Sequence, residues 1–181
     1  MAEIAPYTLL TDLAAKSDSI PVELPVADAS QTHWTGLGFS LLGFRFTTPM
    51  DEVAEVMRLP PMTRLPGVKP FVQGVANVRG RLMAVLDLAL FFGQHSEVAR
   101  SQRRVLGVEQ EDQFFGFIVD ESFGMQHFPS DSFVSSVDEV DERFKPHVHG
   151  CYRVAGTLWP ILSLASLADD PGLEKLASQT H

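Results

Sequence analysis

Gly74-Val75-Ala76-Asn77-Val78-Arg79-Gly80, continued by Arg81-Leu82-Met83-Ala84-Val85-Leu86-Asp87, reads as two short strands folded back on each other around Arg79-Gly80. Gly80 is free to take a positive φ there, and the Asn77 side chain can satisfy local backbone groups of the turn. On the returning strand Leu82, Ala84 and Leu86 alternate with Met83 and Val85. Leu88 to Phe92 then forms a short helix, capped by Asp87 and stopped by Gly93.

The same unit occurs again downstream. Aligning Gly80–Phe91 with Gly156–Leu167 matches Gly80 with Gly156, Leu82 with Leu158, Leu86 with Leu162, Leu88 with Leu164 and Ala89 with Ala165, while Val85 faces Ile161. Each copy is a glycine turn, an apolar strand and a short helix. Each is also preceded by a hairpin: Phe39 to Phe46 in the first half, and Val105 to Val119 around the acidic turn Glu109–Gln113 in the second. Duplicated antiparallel units with many short strands point to an all-β fold of small barrels. Leu82, Val85, Leu86, Leu158, Ile161 and Leu162 are the expected core.

Between the first hairpin and the quoted stretch, Met50 to Leu59 is expected to be a strand with Val53, Glu55 and Met57 on one parity, stopped by Pro60, Pro61 and Pro66. The body closes with Cys151–Ala155, Leu158–Leu162 and a helical segment from about Ser163. Upstream, residues 7–16 suit one short helix, and residues 17–30 mix Ser, Asp, Ala and prolines as a linker does. The expected organisation is an extension over residues 1–33, a folded body over 34–168 and a tail over 169–181.

The chain has 181 residues, 45% of them hydrophobic, and Lys+Arg 14 against Asp+Glu 23 leaves a net charge of -9. That balance disfavours a nonspecific grip on nucleic acid or on an anionic membrane surface. One cysteine, Cys151, excludes an intrachain disulfide and suits a reducing cytoplasm. The opening residues lack a signal-peptide pattern, and the longest uncharged apolar-rich run, Val154 to Ala168, falls short of the roughly 20 apolar residues of a spanning helix. A soluble, cytoplasmic protein is expected.

Gly74-Val75-Ala76-Asn77-Val78-Arg79-Gly80 followed by Val85-Leu86-Asp87-Leu88 resembles the signature of CheW-like domains, G-V-x-N-x-R-G and then P-[VI]-x-D-L. Ala84 stands where the family usually has proline, while Pro160 holds the equivalent place in the second copy. The resemblance extends from about Trp34 to about Leu167. It implies two intertwined five-stranded SH3-like barrels. It also implies an adaptor that couples the cytoplasmic tip of a methyl-accepting chemoreceptor to the regulatory domain of a CheA-type histidine kinase, without catalysis and without a cofactor. The long N-terminal extension and the Trp34–Phe39 stretch look more like the adaptors of type IV pilus twitching-motility systems than like flagellar CheW, which is the alternative.

On that resemblance Val53, Glu55, Gly74, Asn77, Arg79 and Gly80 are the candidate receptor- and kinase-binding residues, Arg79 foremost. A guanidinium at a turn tip supports no core, yet it can grip a partner's carboxylates or carbonyls in a fixed fork. A different class of function, a metal- or cysteine-dependent enzyme, would have to be built on His147, His149 and Cys151. On an unbroken strand these would face one way, but no fourth ligand and no activating base accompany them.

Overall fold

A computed structural model describes residues 32–171 and Leu173. The expected helix over residues 7–16 and its linker lie outside the described residues, as does most of the C-terminal tail. The strands are β1 (His33–Leu41), β2 (Phe44–Pro49), β3 (Glu55–Arg58), β4 (Val72–Val78), β5 (Arg81–Asp87), β6 (Arg104–Gln110), β7 (Gln113–Val119), β8 (Glu121–Pro129), β9 (Phe133–Val134), β10 (Val148–Val154) and β11 (Thr157–Leu162). Two short helices, α1 (Leu88–Phe91) and α2 (Leu164–Ala168), follow β5 and β11.

The strands form two sheets, one in the order β8-β1-β2-β11-β10-β9 and one in the order β3-β6-β7-β5-β4. The first hairpin, β1–β2, therefore joins the late strands, and the second hairpin, β6–β7, joins the early ones. Each barrel-like sheet is completed by a hairpin from the other half of the chain, which is the intertwining that the resemblance implies, although the first sheet has six strands where five are expected, the two-residue β9 lying at its edge. The duplication extends to the backbone. Gly74 and Gly150 both have φ 148°, Arg79 and Ala155 have φ 53° and 50°, and Gly80 and Gly156 have φ 81° and 78°.

A continuous core runs between the sheets, built on Leu37, Phe39, Leu41, Phe46, Leu86, Leu106, Phe117, Phe144, Leu162 and Leu164. The five-stranded sheet encloses a smaller core of Ala76, Met83, Val85, Val105, Phe114 and Ile118. Val85, Leu86, Ile161 and Leu162 are buried as expected, and Leu158 is half-buried against the shared core. Leu82 is a correction, for it stands 69% exposed. β5 is apolar on both faces, so its alternation separates the faces without saying how far each is covered. Met83 and Val85 fill the small core and Leu86 the shared one, whereas Leu82, next to the turn, projects past the shared core.

Three further differences have local causes. Met50–Glu52 forms a 3₁₀ turn, so the strand starts only at Glu55 and Val53 packs on the shared core instead. Glu52 is turned inward, where its carboxylate accepts hydrogen bonds from Leu164 N (2.8 Å), Ala165 N (3.2 Å) and Ser163 Oγ (2.9 Å), tying the first half of the chain to the start of α2. The acidic turn of the second hairpin is only Glu111-Asp112, its neighbours being paired in β6 and β7. β8, a nine-residue strand paired along β1, runs through a stretch whose Gly124 and Pro129 mask its alternation.

Asp87 caps α1, its carboxylate accepting from Ala89 N (3.0 Å) and Leu90 N (3.4 Å). The same carboxylate receives the buried Arg103 guanidinium as a fork, Nη1 to Oδ2 at 2.7 Å and Nη2 to Oδ1 at 2.9 Å. Arg103 Nε lies 3.5 Å from Asp120 Oδ1, and Asp120 also accepts from Leu42 N (2.8 Å) and Ser96 Oγ. All three charged residues are buried.

Two outcomes are expected in chemical denaturation. Leu86→Ala and Leu162→Ala should each cost about 2–5 kcal/mol, while Leu82→Ala stays within about 0.5 kcal/mol. Arg103→Met should cost about 3–5 kcal/mol, because it leaves two buried carboxylates without their cation.

Candidate partner-binding site

The turn between β4 and β5 holds two residues, Arg79 and Gly80, both at positive φ. That geometry matches the twist of the flanking strands, and glycine takes the second place at no steric cost. Asn77 Oδ1 accepts from Gly80 N at 3.0 Å and locks the turn from inside. Arg79 is thereby held at the tip with its side chain 84% exposed.

Its guanidinium is not unpartnered. Nη1 lies 3.2 Å from Oε2 of Glu55, whose side chain is only 19% exposed. Glu55 sits on β3 opposite Gly107, and two residues further along β6 Glu109 pairs with Arg81, which lies over the Phe114 ring at 5.0 Å. Two ion pairs thus span the mouth of the five-stranded barrel, above the core of Met83, Val85 and Phe114. Arg79 therefore has a partner within the fold, which reading the turn alone does not reveal. An exposed pair of this kind contributes about 0–1 kcal/mol, so the guanidinium stays available to a competing carboxylate.

On the outer face of the same hairpin is a cleft of about 610 Å³, with Val75, Leu82, Ala84 and Phe115 on its floor, Leu65 and Val68 on one wall and Glu111 and Asp112 at its rim. Gly74 also lines it, and a Cβ there would come 2.3 Å from the Thr63 carbonyl oxygen. Thr63 and Val75 exchange backbone hydrogen bonds at 2.9 Å, so this approach fixes the wall of the cleft. Of the six candidates, Glu55 and Arg79 touch, Asn77 and Gly80 build the turn and Gly74 shapes the cleft. Val53 joins neither group. Leu82 lines the cleft, and Arg81 pairs with Glu109 next to the turn; none of the three was among the candidate binding residues read from the sequence. An apolar residue two places after an N-x-R-G turn, alternating with core residues, is the one sign that marks Leu82.

His147, His149 and Cys151 do not converge. His147 ends a 3₁₀ turn, and a bulge in the β10–β11 pairing between Val148 and Cys151 breaks the alternation that would align the three. No cluster of metal-ligating side chains occurs among the described residues. Burial lowers the His147 pKa against the opposing pull of Asp170. The unfolded chain therefore protonates first as pH falls below about 6.5, and stability drops in that direction. Cys151 is fully buried, and burial pushes its thiol up to about 11, far from a thiolate nucleophile at neutral pH.

The model of the CheW-like domain family matches residues 35–172. Protein PilI of Pseudomonas aeruginosa is 42% identical over 172 residues, covering 95% of this chain and 96% of that protein. Chemotaxis protein CheW of Helicobacter pylori is 31% identical over 84 residues, or 46% of this chain and 51% of that protein. The crystal structure of scaffolding protein TtCheW from Thermoanaerobacter tengcongensis superposes with a TM-score of 0.68 at 24% identity, covering 78% of this chain and 96% of that one.

Cys151 should resist alkylation by iodoacetamide at pH 8 in the native protein and react on addition of denaturant. Mass spectrometry of labelled protein reads this directly, and rapid native labelling would contradict the buried placement.

Proposed function

The chain belongs to the CheW-like domain family, and on that premise we propose that it is an adaptor joining the cytoplasmic tip of a methyl-accepting chemoreceptor to the regulatory domain of a CheA-type histidine kinase. The observation that carries the reading is the family match over the folded body, combined with an apolar cleft beside the signature turn. Such a cleft suits the apolar face of a partner helix. Arg79, on the turn of the same hairpin though not in the cleft lining, offers a charged fork for a carboxylate or carbonyl of that partner. Glu55, half-buried beneath Arg79, links the hairpin to β3, the region that resembles the family's kinase- and receptor-contacting segment.

The similarity to PilI along nearly the whole of both chains favours a chemosensory system that controls type IV pilus twitching motility over a flagellar one, since the Helicobacter pylori CheW match covers about half of each protein. No helix among the described residues is long and apolar enough to cross a membrane. On this reading the adaptor reaches membrane-associated arrays through its partners.

Arg79→Glu should shift stability by about 1 kcal/mol or less, because it loses an ion pair at a solvent-facing turn and sets a second carboxylate near Glu55. It should weaken binding of the receptor tip by roughly 2 kcal/mol or more while affecting kinase binding less. Paired titrations with a receptor cytoplasmic tip and a kinase regulatory domain test this. Unchanged receptor binding would remove Arg79 from the site, and loss of both partners together with stability would make it structural.

A further inference from the structure

β3 and β6 pair so that Arg58 stands directly opposite Arg104. Residues in that relation share a face, and like charges so placed repel. In a chain of net charge -9, two arginines set opposite each other on one face of the sheet call for an anion. The Arg58 side chain has no ion-pair or hydrogen-bond partner among the described residues. Arg104 is tethered by Nη1 alone, which donates to the carbonyls of Gln102 and Arg103 at 3.0 Å each, so its plane is fixed while Nε and Nη2 remain free among the described residues. Both arginines line a cleft of about 440 Å³ with Ser101, Gln102, Glu121 and Ser122. The cleft lies at the seam where β3 and β6 of one sheet meet the start of β8 of the other.

We propose that Arg58 and Arg104 form a seat for a single carboxylate, presented by an aspartate or glutamate in a peptide segment of a partner protein. Two features choose this occupant over free phosphate. Two guanidiniums against Glu121, which pairs with neither arginine, leave one net positive charge. A monoanion is balanced by that charge, whereas a dianion meets repulsion from Glu121. Val56, two residues before Arg58 on the same face of β3, is 42% exposed and offers an apolar contact beside the charge. The recognised segment thus pairs an acidic residue with a neighbouring apolar one. This seat is separate from the Arg79 hairpin, because Arg58 and Glu55 project from opposite faces of β3. It rests on the adaptor reading only in expecting a protein partner.

The test is a titration of the full-length chain, followed by NMR of backbone amides and arginine Nε groups. The probes are an acetylated, amidated Leu-Thr-Glu-Thr-Leu peptide, its Gln counterpart and inorganic phosphate. The Glu peptide should shift Ser101, Ser122, Arg58 and Arg104 and bind about tenfold more tightly than the Gln peptide, as expected for charge-assisted hydrogen bonds. Arg58→Gln and Arg104→Gln should each abolish that preference without changing the melting temperature, and Arg81→Gln should leave it intact. Equal binding of the two peptides would overturn the proposal. So would tighter binding of phosphate at the same resonances, which would make this a small-oxyanion site. Shifts confined to the Arg79 hairpin would overturn the seat while leaving the adaptor reading standing.

Discussion

Arg103 places a buried positive charge where the end of β5, the start of β6 and the end of β7 converge, and the surrounding architecture is arranged to satisfy it. Asp87 meets it with both oxygens while capping α1, and Asp120 meets it from the end of β7 while accepting from Leu42 in the first hairpin's turn. A buried ion cluster of this kind is weak as a source of net stability but strict as a specifier of geometry, because any arrangement that separates its members strands a charge in a low-dielectric layer. Both of its carboxylates also hold main-chain groups. The cluster therefore fixes the junction between the early strands, the second hairpin and the turn of the first.

Glu52 has the corresponding task in the second copy, but from across the duplication. Ser163 caps α2 through Ser166 N at 3.1 Å, and the carboxylate from the other half completes the helix start. The two halves therefore share a backbone plan while differing in which side chains satisfy it. The matched positive-φ positions, 74 with 150 and 80 with 156, keep the plan. The polar ties have diverged. At the first turn this divergence leaves Arg79 and its Glu55 partner, whereas the second turn carries Ala155 and no such pair.

How much of this is legible in the chain depends on whether the signal is local. The β4–β5 hairpin, its helix and their second copy are written in adjacent residues, as glycine turns, alternation and an Asp cap, and they form as read. The family resemblance carried the intertwining, which no local pattern encodes. β8 was hidden because a strand broken by glycine, with one face half-covered, has no clean alternation. Leu82 was misplaced because β5 is apolar on both faces, so periodicity cannot tell a core from a cleft. The ion pair of Arg79 with Glu55 and the role of Glu52 join residues far apart in the chain, and only the sheet order brings them together. Val53, placed on one strand face with Glu55 by parity, instead precedes β3 because Met50–Glu52 forms a 3₁₀ turn, and it packs on the shared core.

The exchange of hairpins between the sheets has a consequence for how such a protein can change over evolutionary time. Neither half of the chain owns a complete sheet, so the duplicated unit is no longer a unit of inheritance. A recombination event that excised one copy would remove a hairpin from the sheet it left behind as well as the sheet it encoded. The ancestral repeat can drift in sequence, and here it has, but it cannot be shuffled. Diversification in such a scaffold is confined to its exposed turns and seams, where a change of partner costs no strand.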